Sequence, residues 1–327
     1  MDGNLFVDWE EFTSFCIEIG MVASEAKEAG AGAQLDDYVI RYLPDPGYRE
    51  AVHHGYNQTI NVMAYAKEIG LIVVVEPESA TFKGLDTKGH ILHSYTLQES
   101  NDSHNRNILA AEEGPTEFYI NDIIYCPEIR KFAVATNNAH MVVCLLEHTT
   151  GSSGQHKDYN LVSKKSHNAS HTKLCWSNID QRLYSVSEDY NIWYWPIDEN
   201  TGLFEEGPGK HVVNAALHNN DMILSFICLQ DKGILATGCM DTNVRLWSSE
   251  NFRLKATLSG HKRGVRALAY AQNILVSAGF EYAAVAWDVT AREELCRLVG
   301  HRAPIADVRM LAHGRDLDVL VITADNL

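Results

Sequence analysis

No apolar run in this 327-residue chain approaches the roughly 18 residues that a membrane crossing needs. The N-terminus has neither the basic start nor the apolar core of a secretory signal. Both absences point to a cytoplasmic chain without membrane insertion. Seven cysteines (Cys16, Cys126, Cys144, Cys175, Cys228, Cys239, Cys296) stand singly, with no Cys-x-x-Cys pair. That scatter excludes a zinc-type spacing and a disulfide framework, and it argues for buried thiols in a reducing compartment. Basic side chains are scarce: 27 Lys and Arg face 43 Asp and Glu, a net charge of −16. Such a surface opposes phosphate contact, so nucleic-acid binding is set aside although six tryptophans and 14 tyrosines are available for stacking. Gly207-Pro208-Gly209-Lys210 has neither the spacing nor the hydroxyl of a phosphate-binding loop.

What the chain does have is a repeat. Asp189, Asp241 and Glu281 each precede a tryptophan (Trp195, Trp247, Trp287) by the same interval, and each follows a hydroxyl residue (Ser185, Thr237, Ser277) by another fixed one. A histidine lies upstream of every set, at His167, His218 and His261, and Gly300-His301 opens a further unit. Repeats of this length decide the fold before any single motif does. Within one unit, Gly233–Gly238 reads as a short apolar strand, Cys239–Asn243 as a hairpin turn and Val244–Trp247 as the returning strand. An acid in that turn can accept from the histidine, the histidine can bond the hydroxyl, and the hydroxyl can reach the indole N–H. The chain of bonds would satisfy polar groups inside an apolar sheet, as burial requires. The same residue types make up a catalytic triad. A set that recurs in register with a tryptophan each time is structural, because an enzyme has no use for one nucleophile per repeat. No catalytic residue is therefore assigned.

At these residues the sequence resembles the WD-repeat family. Gly260-His261 through Trp287-Asp288 is similar to a complete repeat; in the preceding unit Leu217-His218 and Trp247-Ser248 replace the family's dipeptides, and Trp195-Pro196 departs in the unit before that. Units from Ile60 to Gln98 and from Ile120 to Ser166 share the strand rhythm without the His–hydroxyl–acid–Trp set. The resemblance implies an all-β fold, a β-propeller of four-stranded blades. About five and a half blades are expected over residues 56–327, fewer than the about seven typical of the family's closed rings. The chain is accordingly read as part of a larger propeller.

The first residues carry a different pattern. Asp2-Gly3-Asn4-Leu5-Phe6-Val7-Asp8-Trp9-Glu10-Glu11 resembles the second half of an EF-hand loop, with Asp2, Asn4, Asp8 and Glu11 at ligand positions for calcium. Phe12, Phe15, Cys16 and Ile19 would then share one face of a short exit helix. Leu5 occupies the position where that loop needs glycine. Residues 1–21 are assigned to this remnant and residues 22–55 to a linker with a possible outer strand at Asp37–Leu43. EF-hand followed by WD repeats is an order that resembles proteins associated with cilia and flagella.

Three polar insertions, at 98–117, 148–159 and 198–210, read as solvated, disordered loops. The function expected from the resemblance is a non-enzymatic scaffold that holds protein partners, with a calcium-responsive adaptor as the alternative and no resident cofactor otherwise. Residues 253–309 hold nine basic and five acidic residues in an otherwise acidic chain. Lys262, Arg263 and Arg302 follow the Gly-His pairs, and Glu188, Met240 and Phe280 precede the turn acids. These six are the expected partner rim, with an acidic protein segment as ligand.

Overall fold

The computed structural model describes residues 60–98, 118–150, 157–213, 221–299, 301, 303–313 and 318–325. The EF-hand-like segment, the linker, the 99–117 insertion, His218 and Arg302 lie outside them. Among the described residues the structure is β throughout, apart from a single 3-10 turn at Lys67–Ile69. Twenty-two strands form five four-stranded antiparallel sheets and one two-stranded sheet.

The first sheet holds β1 (Val62–Ala66), β2 (Leu71–Val75), β3 (Thr81–Leu85) and β4 (Ile91–Thr96), and the second holds β5 (Ile120–Cys126), β6 (Lys131–Thr136), β7 (Val143–Thr150) and β8 (Lys157–Lys165). The third is β9 (His171–Ser177), β10 (Arg182–Ser187), β11 (Ile192–Trp195) and β12 (Lys210–Val213). The fourth is β13 (Ile223–Leu229), β14 (Ile234–Cys239), β15 (Asn243–Ser248) and β16 (Leu254–Ser259). The fifth is β17 (Val265–Ala271), β18 (Ile274–Gly279), β19 (Ala284–Asp288) and β20 (Glu293–Leu298), and β21 (Ile305–His313) pairs with β22 (Asp318–Asp325).

Each sheet is a simple meander in chain order. The first strand of each sheet lies against the first strand of the next, from β1 to β5, β9, β13, β17 and β21. That radial stacking is the propeller arrangement, and it places the core in the seams. Five apolar clusters fill five seams. Phe82, Ile123 and Phe132 join the first two sheets, Leu145, Trp176 and Trp195 the second and third, and Phe226, Leu235 and Trp247 the third and fourth. Leu246, Leu268 and Trp287 follow, then Val276, Ile305 and Val308. Because both faces of a middle strand look into a seam, β6, β14 and most of β10 are buried at every position. Outer strands such as β4 and β16 alternate or face solvent.

A bulge recurs near the start of the first strand in five of the six sheets, as between Ile223 and Ser225 or Val265 and Ala267. Polar groups released there bond to the next sheet: Ser225 Oγ donates to the Val265 carbonyl at 3.0 Å, and Asp122 accepts the Leu174 N–H at 2.8 Å. Burial pushes the Asp122 carboxyl above its ordinary pKa, against the pull of Lys173 and of these amides.

The described ends of the 148–159 segment belong to β7 and β8, with Thr150 opposite Lys157, and residues 151–156 lie outside the described residues. A second insertion differs from the solvated loop expected. The 198–210 segment is a built turn. Asp198 accepts from the N–H groups of Asn200 and Thr201, Gly202 takes a φ of 62°, and Ile197 bridges to Phe204. Lys165 of the second sheet clamps it by donating to the carbonyls of Gly207, at 2.6 Å, and Glu205.

Candidate functional site

In the fifth sheet, Ser277 on β18 is the hub of a buried network. His261 Nε2 lies 2.6 Å from Ser277 Oγ, and the Trp287 indole donates to the same oxygen at 2.7 Å. Trp287 is placed for this because it faces Leu275 across the ladder, two positions from Ser277 on the same side of the sheet. Glu281 Oε1 is 3.4 Å from His261 Nδ1 without making a hydrogen bond, and accepts instead from the backbone N–H groups of Lys262 and Arg263. Burial lowers the His261 pKa; the Glu281 carboxylate works against that effect. The imidazole is therefore neutral, and the adjacent carboxylate favours the tautomer with the proton on Nδ1. The hydroxyl–indole bond recurs in the third and fourth sheets, from Trp195 to Ser185 at 2.7 Å and from Trp247 to Thr237 at 3.0 Å. All three hydroxyl residues are completely buried, so these oxygens hold sheets together and offer no face to a substrate.

The third sheet corrects the sequence reading. His171, not His167, occupies the histidine position, with Nδ1 2.7 Å from Ser185 Oγ. His171 opens β9 and points into the seam. His167 sits in the loop before it, packs on Trp193 at 4.5 Å between centroids and reaches His171 Nε2 only at 3.4 Å. Burial, reinforced by His167, lowers the His171 pKa from 6.5 to about 3 against the opposing charge of Asp189. Asp189 bonds the turn, accepting from Ser187 Oγ and from the Asn191 N–H at 3.3 Å.

In the fourth sheet the carboxylate of Asp241 receives both arms of Arg245, at 3.1 and 2.5 Å, a bidentate pair the sequence reading missed. Burial raises the Asp241 pKa, but the guanidinium outweighs it and holds the carboxyl below its ordinary range. The only available signal was Arg245 lying four positions beyond the turn acid, and that becomes legible only once the hairpin register is known.

The expected partner rim lies at the hairpin ends. Glu188, Lys262, Arg263 and Met240 are exposed and Phe280 half-exposed. Asp2, Asn4, Asp8 and Glu11 fall outside the described residues. Among the described residues no group of three or more His, Cys, Asp or Glu side chains could hold a metal ion, and no helix is long and apolar enough to cross a membrane. Cys126, Cys144, Cys175, Cys228 and Cys239 are buried, and burial pushes the Cys144 and Cys239 thiols up to about 12.

Residues 211–248 match the family described as WD domain, G-beta repeat. The matched unit begins in β12 and ends in β15, so one sequence repeat spans two sheets and ties them covalently. Cilia- and flagella-associated protein 337 B of Tetrahymena thermophila is 22% identical over 334 residues, covering 95% of this chain and 26% of that protein. F-box-like/WD repeat-containing protein TBL1X of Mus musculus is 30% identical over 139 residues, 41% of this chain and 26% of that protein. Topless-related protein 2 of Arabidopsis thaliana is 30% identical over 99 residues, 28% of this chain and 9% of that protein. The chain thus spans 26% of the length of each of the first two relatives. One repeat of that family is thus matched, at residues 211–248, and the described four-stranded sheets take the form of β-propeller blades.

Proposed function

We propose that the chain is a non-enzymatic scaffold that binds protein partners along the hairpin-end rim of its blades. The supporting observation is the local construction at Glu281. One carboxylate ties down the backbone of Lys262 and Arg263 while their side chains stay exposed, so two charges are presented on a fixed frame. Glu188, Met240, Phe280 and Arg302 complete the contact set, and an acidic protein segment is the ligand that the basic 253–309 region fits. Rim charges of this kind chiefly steer encounter and set specificity. The name of the Tetrahymena relative supports a place in the cilium or flagellum, and the singly spaced, buried cysteines support a reducing cytoplasmic compartment.

Affinity capture from a lysate of ciliated cells, with the wild-type chain and with Lys262→Glu/Arg263→Glu/Arg302→Glu, tests this reading. The variant is expected to lose partners that the wild type retains, with its circular dichroism unchanged. An identical partner set would remove the rim from the account.

A further inference from the structure

Met222 and Met240 are 46% and 44% exposed, and they are neighbours because the Met240 N–H donates to the Met222 carbonyl at 2.9 Å. Across the seam, Gly264 packs against Met240: a Cβ there would stand 2.8 Å from Met240 Sδ and 3.1 Å from Leu224 Cδ1. The Phe280 N–H donates to the Gly264 carbonyl at 3.1 Å, which brings that ring to the same spot. The Arg266 guanidinium lies 5.7 Å over the Phe280 ring. Arg266 is the extra residue of the β17 bulge, and the bulge aims it at the rim.

The result is an apolar patch of Met222, Met240 and Phe280, with Arg266 over the Phe280 ring and the exposed residues Lys262 and Arg263 directly preceding Gly264 in the chain. Three acids stand close by. Glu281 is engaged by the Lys262 and Arg263 amides, Asp241, next to Met240 in the chain, is held by both arms of Arg245, and Asp221 accepts the Met222 N–H at 2.8 Å. Lys262 and Arg263 are therefore the open charges. Methionine side chains are flexible and polarizable and adapt to an inserted group, and an apolar centre with charges at its edge is the usual anatomy of a protein contact.

We propose that this patch seats one apolar side chain of an acidic segment of a partner protein, with the flanking carboxylates directed to Lys262, Arg263 and Arg266. The proposal rests on the scaffold reading and adds to it the composition of the ligand.

Fluorescence polarisation with the whole chain tests it, using two labelled peptides with identical runs of Asp and Glu around a single central Leu or Ser. The Leu peptide is expected to bind about tenfold more tightly. Met222→Ala and Met240→Ala should each erase most of that advantage and leave the Ser peptide unchanged. Met63→Ala, at a methionine of similar exposure on the first sheet, should change neither. Equal binding of the two peptides would overturn the apolar seat, and binding of neither would overturn the acidic ligand. The scaffold reading is judged separately, by partner capture.

Discussion

Replacing Asp241 by alanine isolates the carboxylate that the fourth blade depends on. The Arg245 side chain is only 6% exposed and that of Asp241 11%, with two charge-assisted bonds between them. Removing the acid leaves a nearly buried guanidinium without its counter-charge. For a deeply buried pair that costs about 3–5 kcal/mol; at a blade rim, where water reaches the guanidinium after small shifts, about 2–3 kcal/mol is expected. The Asn243 N–H also loses its acceptor, adding about 0.5–1 kcal/mol in a turn where Thr242 already holds a φ of 73°. The predicted total is about 3 kcal/mol. Asp241→Ala/Arg245→Met should recover most of it, since an apolar isostere removes the stranded charge. Urea denaturation followed by tryptophan fluorescence reads the loss, and amide exchange should place it in β14 and β15. A loss below about 1 kcal/mol in Asp241→Ala, or a double variant no better than the single, would refute the ion-pair reasoning.

Other perturbations follow from the same geometry. Ser277→Ala strands His261 and the Trp287 indole together and should cost about 2–4 kcal/mol, more than Glu281→Ala, which mainly frees two exposed amides; equal losses in thermal melts would contradict this. His171 has a folded pKa of about 3 against an ordinary 6.5, so below pH 6.5 the unfolded chain gains a proton that the folded chain refuses. Its contribution is full above pH 6.5 and lost on acidification, by about 2 kcal/mol at pH 5, and a His171→Gln variant should show a flatter pH–stability profile over that window. Gly279→Ala would drive a Cβ to within 1.9 Å of the rigid Gly264 carbonyl oxygen, whereas the first atom met in Gly264→Ala is the flexible Met240 sulfur. The first should abolish soluble expression or lower the melting temperature far more than the second.

The blade rhythm was legible because the acid-to-tryptophan interval fixes a hairpin, and a hairpin of that length repeated in register dictates stacked meanders. Hydroxyl and indole were readable as partners for the same reason. The histidine of the third blade was not. Whether His167 or His171 enters the seam depends on where β9 begins and on the bulge opposite Ser187, and neither is written in local composition. Arg245 was missed because a cross-turn ion pair needs the register of β14 and β15. The 198–210 segment looked solvated by composition, yet Asp198 supplies a turn cap and Lys165 of another blade supplies the clamp, a contact 42 residues away from Gly207.

Hydrogen exchange of the chain with and without a captured partner tests the central claim most directly. The account predicts new protection at Met240–Asn243, Lys262–Arg266 and Phe280–Tyr282, with the outer strands β12, β16 and β20 unchanged. Protection confined to those outer strands, or spread evenly over the blades, would contradict a scaffold that works through its rim.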